Sequence, residues 1–306
     1  MSTEKTSLGA RITEGFLHLK GRLPLGYHRW WGRRLAWLVR SVLRYRQHVV
    51  MANLARSFPE KKYEELQAIS KRFYTHFCTL LTEMIWFGAC RGPKGRKRLH
   101  DSHIVELANP EEMKRIYDTY PQIMLLQGHT GNWELFGGLN QYTYSTPLDI
   151  DPSALAVTYH RMSSPLWETV MSHNRPAPVL DQGFNGYVAS ESILRFVLEN
   201  KEKKYLYHFN ADQYPYSGDG CEIEFMHQKT RTATAAARLA VKLDMAVVYL
   251  RYQCREEGGY RITFVPITEH AGGKDALEIT KEYYKLLEED LEQQPWNYLW
   301  THKRWK

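Results

Sequence analysis

The chain has 306 residues, 43% of them hydrophobic, which suits one large α/β domain with an N-terminal extension, or two domains. Its formal net charge of +7 indicates an anionic partner such as nucleic acid, a membrane surface or an acidic protein. The 4 cysteines are widely separated and contain no C-x-x-C pair, which argues against a disulfide framework and indicates reduced cytosolic thiols.

The first predicted element is a basic amphipathic helix near the N-terminus. Residues 1–20 lack the apolar core of a cleavable signal peptide. Between Arg11 and Arg46, 9 basic residues are opposed only by Glu14. The apolar residues at helical spacing are Trp31, Leu35, Leu38, Val42 and Tyr45. No uncharged window approaches the ~20 residues of a membrane span, so we expect the segment to lie in the membrane interface. Alternatively, the apolar face packs on the rest of the protein and the arginines are solvated.

The next predicted elements complete a helical N-terminal region, residues 1–103. A helix is predicted over 63–87, with apolar residues in helical phase. A loop is predicted over 91–103, because Gly92, Pro93 and Gly95 interrupt a basic cluster there. That cluster would meet sugar phosphates or an acidic carrier protein, or it is simply a solvated linker.

From residue 104 the pattern changes to alternating strands and helices. The predicted strands are 122–127, 154–159, 204–210, 222–226, 246–251 and 260–266. The predicted helices are 133–139, 165–174, 188–200, 232–242 and 277–292. Such alternation predicts an αβα sandwich with a mostly parallel central sheet. We expect residues 104–306 to form this α/β core, continuous with the helical region.

One motif dominates the chain: His129-Thr130-Gly131-Asn132-Trp133-Glu134, directly after the predicted strand 122–127. Gly131 permits a sharp turn, and Asn132 is a suitable N-cap for the helix that follows. A histidine at the carboxyl end of a strand lies where α/β folds place ligands. It can take a proton from a hydroxyl while a carboxylate such as Glu134 orients it. A satisfied turn is the alternative, since the chain has 13 histidines and this pair lacks zinc-ligand spacing.

The motif and three further blocks carry a resemblance to a known family. Those blocks are N-L-A-R-S-F-P-E from Asn53, A-D-Q from Ala211, and P-W-N-Y-L-W-T-H-K-R-W-K from Pro295. With G-H-T-G-N-W-E they resemble, in order, the lipid A biosynthesis (late or secondary) acyltransferases within the lysophospholipid acyltransferase superfamily. The chain departs from that family in residues 225–235, which contain no glycine.

The resemblance implies an O-acyltransferase that moves a fatty acyl chain from a thioester to a hydroxyl of a lipid A precursor. His129 would be the general base, Glu134 would orient it, and no metal, cofactor or enzyme nucleophile would be needed. Backbone N–H groups at Gly131 and Asn132, or a basic side chain, would hold the oxyanion. The donor would be acyl carrier protein or coenzyme A. We expect no nucleic acid partner, and a peripheral or monotopic position on the cytoplasmic face of the inner membrane.

Other candidate residues follow strand ends or close the chain. Tyr159 and Arg161 match a Y-R segment of the family, and Arg161 would bind phosphate or instead form a surface salt bridge. Asp212 and Gln213 would support the site or cap the turn-rich loop 214–218. Arg304, in a tail whose tryptophans predict docking, is a candidate anion contact.

Three other functions stay open on the sequence. Another membrane lipid or glycolipid would serve equally well as acceptor. A non-catalytic basic protein that binds membranes or nucleic acid would account for the arginine-rich N-terminus but leaves His129 and Glu134 unexplained. A metal hydrolase would have to use scattered histidines.

Overall fold

The structure, a computed structural model, describes residues 7–215 and 220–305. Residues 1–6, residues 216–218 of the predicted turn-rich loop, and Lys306 of the C-terminal block lie outside the described residues.

The described residues form the following helices and strands. The α-helices are α1 (Leu8–Gly21), α2 (Leu25–Trp37), α3 (Gln47–Ser57), α4 (Tyr63–Phe87), α5 (Gly92–Asp101), α6 (Pro110–Thr119), α7 (Pro165–Asn174), α8 (Ile193–Glu199), α9 (Ala235–Lys242) and α10 (Ala276–Gln293). The strands are β1 (Val105–Leu107), β2 (Gln122–Gln127), β3 (Leu155–Tyr159), β4 (Tyr187–Ala189), β5 (Tyr205–Asn210), β6 (Cys221–Phe225), β7 (Gln228–Thr232), β8 (Ala246–Cys254) and β9 (Tyr260–Thr268). A π-helical turn, Leu38–Val42, continues α2, and 3-10 segments cover Trp133–Gln141 and Pro152–Ala154.

Seven strands form one sheet in the order β1-β9-β8-β2-β5-β3-β4. All neighbouring pairs in it are parallel except β8 and β9. Alternate residues of the central strands face opposite sides, so Leu126 enters one hydrophobic cluster and Leu125 the other. The expected mostly parallel α/β sheet with N-terminal helices is confirmed, and α4, β2 and α7 have the predicted bounds.

Two predicted elements were wrong. The expected loop 91–103 contains α5, because Gly92 and Pro93 open the helix, where proline is tolerated. Gly95 lies within that helix and packs against the Cys90 backbone. Glycine is needed there, because an added Cβ would come within 2.3 Å of that backbone. The expected helix 188–200 is instead β4 followed by α8. Edge pairing with β3 draws the start of that segment into the sheet.

The N-terminal helices expose much of their apolar surface. Helix α2 packs closely on α4, where an added Cβ on Gly32 would lie 2.6 Å from the Thr79 backbone. Helix α1 presents Leu8, Ile12, Phe16 and Leu19, which are between 56% and 72% exposed. From residue 7 to 215 and from 220 to 305, no helix has both the length and the apolar character that crossing a bilayer requires.

The tail docks against the start of the chain, as its tryptophans predicted. Trp300 is fully buried and meets Phe58 edge to face at 6.0 Å. Asn53 donates hydrogen bonds to the carbonyls of Trp300 and His302. The first and last of the sequence blocks that resembled the family therefore pack against each other.

Candidate active site

The ends of two neighbouring strands bring His129 and Asp212 together. Strands β2 and β5 are parallel, with Gln127 opposite Asn210, so the residues two positions further on emerge side by side. His129 Nδ1 lies 2.7 Å from Asp212 Oδ1. The sequence placed both residues at strand ends but expected Glu134 to be the carboxylate that holds the imidazole. In the structure that carboxylate is Asp212, because the sheet register sets it directly beside His129.

Hydrogen bonds define the state of the His129 ring. Asp212 is 2% exposed, and burial alone would raise its pKa. The charge that His129 carries when it is protonated and its hydrogen bond together outweigh burial and lower that pKa. An ionised Asp212 accepts only, so Nδ1 carries the proton. The Gln213 amide Nε2 lies 3.3 Å from His129 Nε2, where it donates to a free lone pair. His129 is therefore arranged to accept a proton at Nε2.

Glu134 belongs to a second network on the same wall. Arg175 holds it through Nη2, 2.8 Å from Oε1, and through Nε. Arg175 also donates to the hydroxyl of Tyr187, which stacks on Tyr159 at 4.0 Å. Burial would lower the pKa of Arg175, but the charge of Glu134 overcomes it and raises that pKa. The expected contact of Glu134 with His129 is replaced by this pairing, because Glu134 lies on the 3-10 turn facing the end of α7.

Residues that are distant in sequence fix the turn after β2. Gly131 has φ +59°, and an added Cβ would lie 2.4 Å from the Tyr252 ring. Its N–H donates to Asn297 Oδ1 at 2.7 Å, and its carbonyl lies 3.0 Å from His76 Nε2. The Gly131 N–H is thus already used, which overturns its expected role in holding an oxyanion.

Asn132 also departs from its expected role. It precedes the 3-10 segment as predicted, but its side chain makes no capping hydrogen bond. The amide donates instead to the buried carboxylate of Glu83, at 3.1 Å, which Arg29 and Tyr260 also contact. Asn132 is fully buried and fixes the turn rather than facing the cavity.

A cavity of about 260 Å3 opens beside His129. Its apolar wall consists of Trp133, Phe136, Leu155, Val157, Phe184 and Phe209. The polar residues that line it include Gln213, Tyr159, Glu134 and Arg175. The arrangement places a proton acceptor beside a cavity with an apolar wall. In residues 7–215 and 220–305, no group of three or more His, Cys, Asp or Glu side chains is placed to hold a metal ion.

Two predicted arginines lie away from the cavity. Arg161 has a side chain 65% exposed and pairs with Glu191 at 2.7 Å, which is the alternative that the sequence left open. Arg304 is fully buried and donates to Thr230 Oγ1 at 2.6 Å and to the Tyr284 hydroxyl at 3.0 Å. Its expected anion contact is wrong, because the docking of the aromatic tail removes the guanidinium from solvent.

Arg304 instead contributes to the site indirectly, through a hydrogen bond to Tyr284. The Tyr284 hydroxyl that it contacts also donates to the carbonyl of Ala211, next to Asp212. The tail therefore braces the strand end that carries the carboxylate partner of His129.

Arg175, Tyr187, His208 and Asn210 are among the cavity residues that the sequence did not predict. Arg175 and Tyr187 lie beyond predicted helix ends and carry no local signal. His208 and Asn210 do carry one: with Asp212 they form H-x-N-x-D, polar residues at alternate positions of an otherwise apolar strand. Alternation places all three on one face. His208 and Asn210 line the cavity, and Asp212 contacts His129.

Residues 8–306 match the family described as "Bacterial lipid A biosynthesis acyltransferase". No curated protein matches the chain. The matched range contains His129, Asp212, the cavity and the docked tail.

Proposed function

The chain belongs to the bacterial lipid A biosynthesis acyltransferases, and from that membership we propose that it transfers a fatty acyl chain from an acyl thioester to a hydroxyl of a lipid A precursor. One observation carries the proposal: His129, with Asp212 at Nδ1 and Gln213 at Nε2, lines a cavity that has an apolar wall. A proton acceptor beside a space for hydrocarbon is what acyl transfer to a hydroxyl requires.

In the proposed reaction the acceptor hydroxyl displaces the Gln213 amide from His129 Nε2. His129 takes the hydroxyl proton while the oxygen attacks the thioester carbonyl carbon. The tetrahedral intermediate then collapses, the carbon–sulfur bond breaks, and the proton passes from His129 to the departing thiolate. Asp212 keeps the proton on Nδ1 beforehand and offsets the charge of the imidazolium, the task of the carboxylate in a catalytic triad.

Glu134 serves the same reaction through Arg175. The Gly131 N–H is occupied, whereas Arg175 is a cation on the wall that His129 shares. We assign the guanidinium to the oxyanion of the tetrahedral intermediate, where a prepositioned cation is effective. Glu134 holds that guanidinium in place with two hydrogen bonds.

The proposed substrates follow from charge and shape. A protein of net charge +7 suits the acidic acyl carrier protein as donor, with coenzyme A thioester as the alternative. The acyl chain would occupy the apolar cavity. The acceptor would be a lipid A precursor or a related membrane glycolipid.

The proposed location is the cytoplasmic face of the inner membrane. The apolar face of α1 and the exposed Trp30, Trp31 and Trp37 provide surface for lipid acyl chains. Exposed Arg33 and Arg34 of α2 would meet anionic headgroups. This placement brings the enzyme to an acceptor that is itself a membrane lipid.

The deciding experiment is mass spectrometry of lipid A from strains with and without the gene. We expect one acyl chain to be missing without it, restored by the wild-type gene and not by His129→Ala. Purified protein should consume acyl thioester only when the acceptor is present. Unchanged lipid A together with a missing chain on another lipid would identify a different acceptor. Salt-sensitive polynucleotide binding with no thioester consumption would instead favour a non-catalytic binding protein.

A further inference from the structure

The cavity wall contains two hydrogen-bond acceptors that the reaction above does not use. His208 is 1% exposed, and its Nδ1 has no hydrogen-bond partner in the described part of the chain. The same holds for Oδ1 of the half-buried Asn210, two positions further along β5. Both residues line the cavity. A buried acceptor without a partner is costly, and both of these residues line a cavity from which a ligand could supply the donor.

The neighbours of His208 fix which atom accepts. His208 Nε2 lies 2.8 Å from Gln127 Oε1, while the Gln127 amide nitrogen points to the Thr130 carbonyl. Nε2 therefore carries the proton, and Nδ1 keeps its lone pair. Burial, together with the nearby His129, lowers the pKa of His208 to about 3, so the ring is neutral at physiological pH. It also stacks on Phe136 at 3.9 Å, which holds its orientation.

The position of the two acceptors selects the kind of ligand. In the sheet register His208 is opposite Leu125 and Asn210 is opposite Gln127, so both acceptors lie on β5 before the strand end that carries Asp212. Phe136, Leu155 and Val157 share that part of the wall. A ligand there must be largely hydrocarbon and must bring a hydrogen-bond donor. An amide N–H would bring a carbonyl oxygen that needs its own donor, whereas a hydroxyl on a hydrocarbon chain brings one O–H, which can donate to either acceptor.

We propose that His208 and Asn210 form a subsite for a hydroxyl group carried on the acyl chain of the thioester donor. The inference rests on the proposed function, since it assigns the cavity to the donor chain. The cavity of about 260 Å3 suits one chain rather than a glycolipid with several. The enzyme accordingly prefers a hydroxylated acyl chain to an unsubstituted chain of equal length.

The first test measures binding and requires no acyl transfer. Calorimetry compares a saturated fatty acid with its monohydroxy isomers, each below its critical micelle concentration. One isomer should bind wild-type protein about tenfold more tightly than the unsubstituted acid, the effect of one satisfied buried acceptor. Equal affinity for all of them would overturn the subsite.

Substitutions show which residues produce the preference for the hydroxylated fatty acid. His208→Phe and Asn210→Leu should each reduce it, while Asn210→Asp, which keeps an acceptor oxygen, should retain it. Asn210→Leu changes only a half-buried side chain, so it keeps the test informative if His208→Phe does not fold. A preference unchanged in both His208→Phe and Asn210→Leu would place the hydroxyl contact elsewhere and reject the proposal.

The second test assigns the hydroxyl to the donor. The ratio of kcat/KM for hydroxylated and unsubstituted thioesters should favour the hydroxylated chain about tenfold and fall towards one in Asn210→Leu. A preference that follows a hydroxyl on the acceptor lipid, and not the thioester, would overturn the assignment. If the protein consumes neither thioester, the proposed function is contradicted. The calorimetric comparison of fatty acids would still show whether the hydroxyl subsite exists.

Discussion

The carboxyl edge of the sheet and the N-terminal helices have opposite relations to solvent. At the sheet edge, polar side chains are buried and paired: Asp212 with His129, and Glu134 with Arg175. In α1, apolar side chains such as Ile12 and Phe16 are exposed. Buried polar groups must be positioned accurately, because each unpaired one costs about 1–3 kcal/mol. Exposed apolar groups need only a surface to cover them. We therefore expect substitutions at the sheet edge to change chemistry and substitutions in α1 to change attachment.

The largest expected effect is that of His129→Ala. Removal of a general base typically lowers the rate by about 10²–10⁴-fold. The rate is measured as thioester consumption in the presence of the acceptor lipid, and circular dichroism checks that the variant is folded. A folded variant that turns over at a near wild-type rate would remove His129 from the mechanism.

Asp212→Asn and Glu134→Gln compare the two carboxylates directly. Asp212→Asn should lower kcat on the order of 10²–10⁴-fold, because the amide no longer fixes the imidazole tautomer. Glu134→Gln should cost roughly tenfold, because a neutral amide still accepts from Arg175 but more weakly. The reverse order, with Glu134→Gln the more damaging, would support Glu134 as the functional partner of His129.

Arg304→Met tests the buried tail. Removal of the guanidinium removes its buried hydrogen bonds to Thr230, to the Arg231 carbonyl and to Tyr284, so we expect a loss of about 2–3 kcal/mol in the free energy of unfolding. Denaturant titration measures it. Lys303→Met, at an exposed neighbouring position, is the matched control and should leave stability unchanged. Equal stability of both variants would show that the buried contacts of Arg304 contribute little.

Phe16→Glu tests the exposed face of α1. A phenylalanine buried in lipid contributes about 1.5–3 kcal/mol, so the variant should bind anionic vesicles at least roughly tenfold more weakly. Leu194→Glu makes a similar change at an exposed leucine of α8 and should bind like wild type. Co-sedimentation gives both values. Undiminished binding by Phe16→Glu would place the lipid contact outside α1.

The smallest expected effect is that of Arg161→Ala. Its pair with Glu191 is exposed, and such pairs contribute about 0–1 kcal/mol. We expect kcat/KM within roughly twofold of wild type under steady-state conditions. A fall of a hundredfold would mean that substrate recruits Arg161 to the site, as the family resemblance implied.

The sequence by itself determined the class of fold and placed the candidate site at the strand ends that carry His129 and Asp212. The bounds of α4, β2 and α7 were readable because helical and strand periodicities are local properties of the chain. His129 and Asp212 were both identified from short blocks at strand ends. Helix α5 was missed because glycine and proline carry the same local signal at a helix start as in a loop.

Only the tertiary structure decided which side chains are partners. Glu134 is 5 positions from His129 in the chain, yet Asp212, which is 83 positions away, makes the hydrogen bond. Sheet register, set by the pairing of whole strands, brings those two together. The same holds for Arg175 with Glu134 and for Arg304 with Tyr284. A sequence pattern records which groups occur and on which face of an element they lie. Partnership depends on contacts between distant segments, and a buried charge pairs with whatever the packed chain brings within hydrogen-bonding distance.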